Sequence, residues 1–206
     1  SVGAGTGWQP APLVISEDDG PLLAAMPAYL KGHSQGEYVF DHNWADAYER
    51  AGGNYYPKLQ IAAPFTPATG PRLLLSDDAF AAPLLAAAEQ LCLQNRFSGA
   101  HATFIEPAQQ PLFEAAGWML RADIQFHWHN HGFASFDEFL ETLASRKRKD
   151  LRKERAAAQA EVEIRRLSGD DIRSEHWDAF WQFYQDTGAR KWGTPYLPRD
   201  AFDLFG

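Results

Sequence analysis

One long amphipathic helix pattern, set between two strand patterns, does most to limit the folds open to this chain. It covers residues 77–97, where Asp77 or Asp78 can cap the start and Pro83 either kinks the helix or marks a later start. A strand pattern precedes it at Lys58–Ala62, and the strand pattern AHATFIE follows it. Helices that alternate with strands pack on the faces of a sheet, so the pattern predicts an α/β (α+β) fold.

Further strand patterns extend this unit in both directions. APLVISEDDGPLLAAMPAYL indicates two strands joined by a tight hairpin at Asp19-Gly20, with its prolines at strand ends or edges. After the short helix patterns WADAYERAGG and PAQQPLFEAAGW, residues 119–133 alternate as a longer strand. The main elements follow the order β-β-β-α-β-α-β. We therefore expect a mixed sheet flanked by helices from about Pro12 to Phe133.

Composition indicates a globular protein. The 206 residues are 45% hydrophobic, which is enough to bury the core of one domain or of one domain and part of another. The sequence has no apolar run that would span a bilayer and no secretory signal pattern, although it opens with Ser1, so an upstream segment is allowed for. We interpret the protein as cytoplasmic. The single cysteine, Cys92, excludes an internal disulfide and is predicted to be a packed thiol.

The basic residues are concentrated in one segment. The net charge is −8, yet RKRKDLRKER at 146–155 carries seven basic and two acidic residues, a local +5 that leaves −13 for the rest. Such a segment favours phosphate-bearing partners, which include nucleic acid, nucleotide-linked substrates and anionic lipid headgroups. The alternative is a solvated helix face that contains Asp150 and Glu154. The candidate phosphate- or RNA-binding residues are Arg146, Lys147, Arg148, Lys149, Arg152 and Lys153.

A new helix is predicted to begin near the middle of the chain. Ser135 with Glu138 forms a capping-box pattern, and apolar residues follow at helical spacing, so the helix should run through the basic segment towards Ala160. VEIRRL then alternates as a strand, and HWDAFWQFYQDTG begins another helix. We place a domain boundary near Phe133–Ser135.

Three short motifs are given structural interpretations. GAGTGW at Gly3–Trp8 lacks a preceding strand and is predicted to be a flexible entry loop rather than a dinucleotide fingerprint. HWHNH places three histidines on one strand face, where they could hold zinc, but packing or hydrogen bonding is favoured and no metal is predicted. Between the strand at Lys58 and the long helix, Gly70 is the one glycine, so no glycine-rich pyrophosphate cradle for coenzyme A is predicted there.

Two long segments carry a resemblance to a known family. YLKGHSQGEYVFDHNWADAYERAGGNYYPKLQIAAPFTPATGPRLL and QFHWHNHGFASFDEFLETLASRKRKDLRKER resemble the bacterial FemAB-like, or peptidoglycan biosynthesis/recognition, proteins of the GNAT acyltransferase superfamily. The resemblance covers nearly the whole chain. It implies a first GNAT-like domain at 1–134, without its N-terminal elements, and the linking basic helix and opening of a second at 135–206. Because family members are longer at both ends, we expect a fragment that is inactive alone.

The stretch Tyr29–Trp44, YLKGHSQGEYVFDHNW, is predicted to contribute to an acceptor site, and edge cover or salt bridging is the alternative for each residue alone. Carboxylates and imidazoles there can orient an amine or take its proton, and the catalytic candidates are Glu37 and His33. Basic and aromatic side chains can pair with phosphate or stack on sugar and peptide groups. The substrate-binding candidates are Lys31, Tyr38, Asp41, Trp44, Tyr56, Lys58, Thr66 and Arg72.

The activity implied by the resemblance is transfer of an acyl or aminoacyl group to an amine, with a peptidoglycan-precursor-like molecule as the candidate acceptor. This chemistry needs a base and oxyanion donors but no covalent nucleophile. The donor is left open between acyl-CoA and aminoacyl-tRNA, with tRNA as a partner in the second case, and no cofactor is predicted for this chain. The alternatives are a non-catalytic GNAT-like module that recognises a cell-wall precursor or a protein, and an RNA-binding protein.

Overall fold

The structure of this protein is a computed structural model. It describes residues 2–18, 20–39, 41–191 and 195–205. The chain divides into two compact units, Ser1–Ala122 and Asp123–Gly206. The first unit has a mixed sheet flanked by helices, so the expected α/β architecture is confirmed. The GNAT-like assignment and the division into domains at 134 and 135 stay predictions.

Seven strands and seven helices lie in the described part of the chain. The strands, in chain order, are β1 (Trp8–Pro10), β2 (Leu13–Ser16), β3 (Leu22–Met26), β4 (Ala28–Lys31), β5 (Lys58–Ile61), β6 (Leu74–Leu75) and β7 (Ala100–Ala102). The helices are α1 (His42–Arg50), α2 (Ala81–Asn95), α3 (Gln110–Ala115), α4 (Phe136–Glu141), α5 (Ser145–Gln159), α6 (Ser174–Arg190) and α7 (Asp200–Asp203). None of these helices is long and apolar enough to cross a membrane.

The strands form two sheets. The larger has the order β1-β4-β5-β7, in which β5 and β7 are parallel and the other neighbours are antiparallel. The smaller sheet is antiparallel, with the order β2-β3-β6. Helix α2 buries Leu84, Leu85 and Cys92 in a common core with Leu59 and Ile61 of β5. Burial raises the pKa of the Cys92 thiol, as fits a packed rather than a reactive cysteine.

The start of the long helix follows one of the two predicted possibilities. Asp77 accepts a hydrogen bond from the Ala79 backbone N–H at 2.8 Å and caps a short 3-10 turn, Asp78–Phe80. The α-helix then begins at Ala81, so Pro83 lies in its first turn, where a missing N–H costs no hydrogen bond. Pro83 therefore marks the later start.

The N-terminal region contains the predicted hairpin. It differs from the predictions made for PLLAAMPAYL and for Gly3–Trp8. Strands β2 and β3 pair antiparallel as expected, although Asp19 of the predicted turn lies outside the described residues. Pro27 separates β3 from β4, which join different sheets, so PLLAAMPAYL is two strands rather than one. The prediction of a flexible loop at Gly3–Trp8 was wrong at its end: Trp8 begins β1 and is fully buried, because pairing with β4 and ring packing hold it.

Two strand predictions were wrong in the region after α3. Residues 119–133 and 162–167 form no strand, although their side chains alternate. A strand needs a neighbour for its backbone groups, and no strand pairs with either segment in the described part of the chain. Apolar side chains in both remain exposed, including Phe126 at 95% and Ile164 at 69%.

The helix predicted from Ser135 is two helices. Ser135 Oγ accepts from the Glu138 backbone N–H at 3.2 Å, while the Glu138 carboxylate accepts from Ala134 rather than from Ser135. Helix α4 ends where Thr142 and Leu143 bond to the third residue before them, a tightened last turn that stops the helix. Helix α5 then carries the basic segment, and α6 confirms the later helix prediction.

Candidate functional site

Two lysines lie directly opposite each other on adjacent strands of the larger sheet. Lys31 ends β4, Lys58 begins β5, and the two are direct partners in the antiparallel register. Both are 0% exposed. Like charges directly opposite in a sheet repel, and buried charges are costly unless they are paired, so this arrangement requires anions close by.

The segment after β4 supplies those anions. Lys58 Nζ donates to Glu37 Oε2 at 2.7 Å and to Asp41 Oδ2 at 2.6 Å. Lys31 Nζ lies 3.9 Å from Glu37 Oε1. We call Lys31, Glu37, Asp41 and Lys58 the charge cluster. Its two cations and two anions have no formal net charge, which offsets the repulsion between the lysines.

Neutral groups complete the hydrogen bonding around the charge cluster. The Tyr55 hydroxyl donates to Asp41 Oδ2 at 2.8 Å, and Ser34 Oγ accepts from Lys58 Nζ at 3.1 Å and bonds the Tyr56 hydroxyl at 2.8 Å. Lys31 Nζ lies 3.7 Å from the centroid of the Trp8 ring, a cation–π contact. These contacts hold each ammonium group in one position.

The two carboxyl groups of the charge cluster titrate differently. Burial raises the pKa of Glu37, although the neighbouring Lys58 opposes the shift. Burial also acts on Asp41, but hydrogen bonds led by that from Lys58 outweigh it and lower the Asp41 pKa to about 2. Burial lowers the pKa of Lys31 to about 8. The pKa of Glu37 is therefore higher than that of the neighbouring Asp41, a division typical of acid–base sites.

Among the described residues, one oxygen of each carboxylate accepts no hydrogen bond. Glu37 Oε1 and Asp41 Oδ1 are buried and accept no hydrogen bond in the described part of the chain. The side chains of Glu37 and Asp41 are only 1% and 4% exposed. A buried acceptor without a donor costs free energy, so these two oxygens are suited to a ligand that brings N–H groups.

His33, predicted as a second catalytic residue, has both ring nitrogens engaged. Nε2 lies 3.1 Å from the Thr6 carbonyl, and Nδ1 accepts from the Gln35 backbone N–H at 3.1 Å. Burial, followed by the charge of Lys31, lowers the His33 pKa. The ring also packs against Gly7, where a Cβ atom would lie 2.0 Å from Nε2. In this structure His33 therefore attaches the N-terminal loop and offers no free nitrogen to a substrate.

Arg72 has different partners from the other charged candidates, and its role in substrate binding stays a prediction. Its guanidinium donates to the backbone carbonyls of Thr103 at 2.7 Å, Ala68 at 2.8 Å and Pro71 at 3.2 Å. No hydrogen bond or ion pair connects it with the charge cluster in the described chain. A buried guanidinium needs several acceptors, and the adjacent loop carbonyls supply them.

The remaining candidates occupy separate positions. Tyr56 reaches the charge cluster through Ser34, whereas Thr66 is exposed and donates to the Pro64 carbonyl within its own loop. Trp44 on α1 and Tyr38 are exposed, and Tyr38 has a positive φ of 56°. The six phosphate candidates all lie on α5. Their roles, and those of the charge cluster, stay predictions.

Three residues near the charge cluster were not predicted from the sequence: Ser34, Trp8 and His101. Ser34 lies within the polar stretch, and its position between His33 and Glu37 could have marked it. Trp8 and His101 lie far from that stretch in sequence, and only strand pairing brings them near it. Burial, followed by the charge of Lys58, lowers the pKa of His101 to about 4, and its ring contacts Tyr55 with centroids 6.0 Å apart.

In the described part of the chain, no group of three or more histidine, cysteine, aspartate or glutamate residues is arranged to hold a metal ion. Within HWHNH, the rings of His127 and His129 stack with centroids 6.2 Å apart, and His131 makes an edge contact with Phe133.

Comparison with known proteins gives a match to a protein family. A family model named FemAB-like and described as peptidoglycan biosynthesis/recognition matches residues 1–206. No curated protein and no solved structure matches the chain.

Proposed function

Because this chain belongs to the FemAB-like family of peptidoglycan biosynthesis and recognition proteins, we propose that it takes part in transferring an acyl or aminoacyl group to an amine of a peptidoglycan-precursor-like acceptor. The observation that carries the proposal is the pair of buried oxygens without donors, Glu37 Oε1 and Asp41 Oδ1. An ammonium group has three N–H donors and would satisfy both oxygens.

The charge cluster supports a division of roles. Asp41, held ionised by Lys58 and Tyr55, binds the ammonium group of the acceptor. Glu37, whose pKa is raised by burial, takes one proton from it. The neutral amine then attacks the donor carbonyl: the new C–N bond forms, the bond from the carbonyl carbon to the donor oxygen or sulfur breaks, and the leaving group departs with a proton.

Access to the charge cluster depends on the segment between β4 and α1. The carboxylates are almost fully covered, so an acceptor amine reaches them only after neighbouring residues move. Gly32 and Gly36 lie within this segment and give it more backbone freedom than other residues would. Acyl-CoA and aminoacyl-tRNA are the two donor classes to be tested.

A non-catalytic recognition module is the second candidate. The burial of the charge cluster favours this candidate, because four buried side chains that neutralise one another can have a purely structural role. Recognition would then fall to exposed aromatic residues such as Tyr38 and Trp44.

Calorimetric titration tests the amine site. The ligand is a soluble precursor peptide with a free side-chain amine, and the reference is the same peptide with that amine acetylated. We expect binding of the free amine only, with loss in Glu37→Gln and Asp41→Asn but not in Glu49→Gln, which neutralises an exposed acid of α1. Equal binding of both peptides would overturn the site.

Mass spectrometry of the acceptor distinguishes the two candidate functions. A mass increase with one donor class, reduced about 10²–10⁴-fold in Glu37→Gln, supports a transferase in which Glu37 is the base. Amine-dependent binding without a mass increase under either donor supports the recognition module. Thermal melting of each variant shows whether it is folded.

A further inference from the structure

A row of polar side chains lies beside the charge cluster on the larger sheet. Tyr29 of β4, Gln60 of β5 and His101 of β7 are register partners on three adjacent strands. Register partners point to the same face of a sheet, and so do residues two positions apart along a strand. Tyr29 is two positions from Lys31, and Gln60 is two positions from Lys58, so the row and the two lysines share one face. We call Tyr29, Gln60 and His101 the polar row.

Gln60 has an acceptor without a donor. The residue is 0% exposed, and its Oε1 accepts no hydrogen bond from the residues that the structure describes. The other half of the amide is held in place, because Nε2 donates to Thr103 Oγ1 at 3.2 Å. A buried carbonyl oxygen without a donor costs free energy, as at the charge cluster. Gln60 Oε1 is therefore suited to a ligand that brings an N–H group.

The two neighbours of Gln60 in the polar row can donate hydrogen bonds. Within the part of the chain that the structure describes, the Tyr29 hydroxyl and the His101 ring make ring contacts but no hydrogen bond. Burial lowers the pKa of His101 to about 4, so at neutral pH its ring has one N–H donor and one acceptor nitrogen. Both side chains are partly exposed, so the polar row meets the surface on either side of the buried Gln60.

One residue of an extended peptide complements this arrangement. Its N–H and C=O point to the same side, as they do in a hydrogen-bonded pair of antiparallel strands. The polar row is displaced from Lys31 and Lys58 by two residues of strand, roughly 6.6 Å at about 3.3 Å a residue. An amine at the end of a long side chain spans such a distance from its own backbone, whereas an α-amine is part of that backbone.

We propose that the polar row binds the backbone of the acceptor residue whose side chain carries the amine, with Gln60 Oε1 accepting its N–H and His101 or Tyr29 donating to its C=O. The polar row thereby selects a peptide acceptor, while the charge cluster takes the amine. This inference rests on the proposed acceptor site, since it names the part of the acceptor that lies beside the amine. As at the charge cluster, the ligand reaches the buried oxygen after neighbouring residues move.

Calorimetric titration with ester analogues of the precursor peptide tests the polar row on the unaltered chain. In each analogue one backbone N–H is replaced by an ester oxygen, which removes a donor at a single position. We expect the analogue substituted at the amine-bearing residue to bind about 5–20-fold more weakly than the parent peptide, because an oxygen then faces Gln60 Oε1. Analogues substituted elsewhere should bind like the parent. Any other pattern, including equal binding of all the analogues, would overturn the proposal.

A variant assigns the effect to Gln60. Gln60→Met nearly keeps the length of the side chain and removes the acceptor, so the parent peptide and the ester at the amine-bearing residue should bind about equally. Gln94→Met makes the same change at an exposed position of α2 and should keep the preference for the parent peptide. A preference that persists in Gln60→Met would show that another group accepts the N–H. Thermal melting shows whether both variants are folded.

The acetylated peptide separates this inference from the proposed function. If the free-amine and acetylated peptides bind alike, but the ester is still discriminated through Gln60, the amine site is wrong and the polar row stands. If the free amine is preferred and every ester binds like the parent, the amine site stands and the polar row is wrong. Absence of binding by any of the peptides would overturn both.

Discussion

Lys58 is the residue on which the charge cluster depends. Its ammonium group donates to two carboxylates and to Ser34, and the whole side chain is buried. A buried ion pair adds little stability compared with an apolar pair, but loss of one partner leaves an uncompensated charge inside the protein. The residue therefore matters for folding whether or not the site is catalytic.

Replacement of Lys58 tests this dependence. Lys58→Met should lower the free energy of unfolding by about 3–5 kcal/mol, because Glu37 and Asp41 remain buried without their cation. Urea denaturation measures the loss. Addition of Glu37→Gln and Asp41→Asn to this variant should recover part of it, since the anions are then removed as well. A loss below about 1 kcal/mol would contradict the burial of the cluster.

His101 should make the stability pH-dependent. Its pKa is lowered from 6.5 to about 4, so the unfolded chain binds a proton at a pH where the folded chain does not. The contribution is fully present above pH 6.5 and is lost as the pH falls towards 4, on the order of 3 kcal/mol in total. Denaturation at several pH values measures it. His101→Gln should flatten this slope.

At the scale of elements, the segment after β4 positions the carboxylates of the charge cluster, which no strand carries. The segment after β4 packs back on the loop after β5, where the Phe65 backbone N–H donates to the Gly36 carbonyl at 3.1 Å. Phe65 in turn contacts Trp8 of β1. Contacts between these two short, irregular loops therefore hold the segment that contributes Glu37 to the charge cluster.

Gly36 tests this loop contact. Gly36 has a φ of 78°, and an added Cβ atom would lie 2.6 Å from the Phe65 ring. Gly52 has a φ of 87° but nothing within 4 Å of such a Cβ, so Gly52→Ala measures backbone strain alone, about 1 kcal/mol. Gly36→Ala should cost about 2–4 kcal/mol in chemical denaturation, because overpacking adds to strain. Equal costs would show that the loops do not pack together.

Arg72 stabilises the loop that precedes β6 through hydrogen bonds to backbone carbonyls. Arg72→Ala would leave three backbone carbonyls without their donor, so the free energy of unfolding should fall by about 2–3 kcal/mol. The same variant should bind the amine-bearing precursor peptide unchanged under conditions where it is folded. Thermal melting and calorimetric titration measure the two effects, and the reverse pattern would restore Arg72 to the acceptor site.

At the scale of the whole molecule, the chain segment at the boundary between the two compact units is exposed and irregular. Residues 119–131 have exposed side chains and no regular secondary structure. Limited chymotrypsin digestion should cut there first, at Leu120, Phe126 or Trp128, and leave a resistant fragment that ends near Ala122. Trypsin should cut α5 more slowly than its many basic residues suggest, because helical backbone resists cleavage. A first cut inside β4 or β5 would contradict this division.

The elements that the sequence predicted well are those with local causes. Helix α2 follows a 3-10 turn capped by Asp77 and has a proline that fits its first turn, and the β2–β3 hairpin has prolines at its ends. Helices α1 and α6 likewise follow from spacing within a few residues. The alternation at 119–133 failed as a predictor because a strand also needs a partner, which spacing within one segment does not reveal.

For the site, the sequence determined which groups are available, and only the tertiary structure decided how they are used. Residues 29–44 were predicted to be polar and chemically rich from their composition alone. The opposition of Lys31 and Lys58 depends on the register of two strands whose facing residues are 27 positions apart in the chain. The side chain of Arg72 is as well suited to bind an anionic group as those of Lys31 and Lys58. Its hydrogen-bond partners are nevertheless nearby backbone carbonyls. Partners are chosen by distance in space, and side-chain chemistry alone contains no information about that distance.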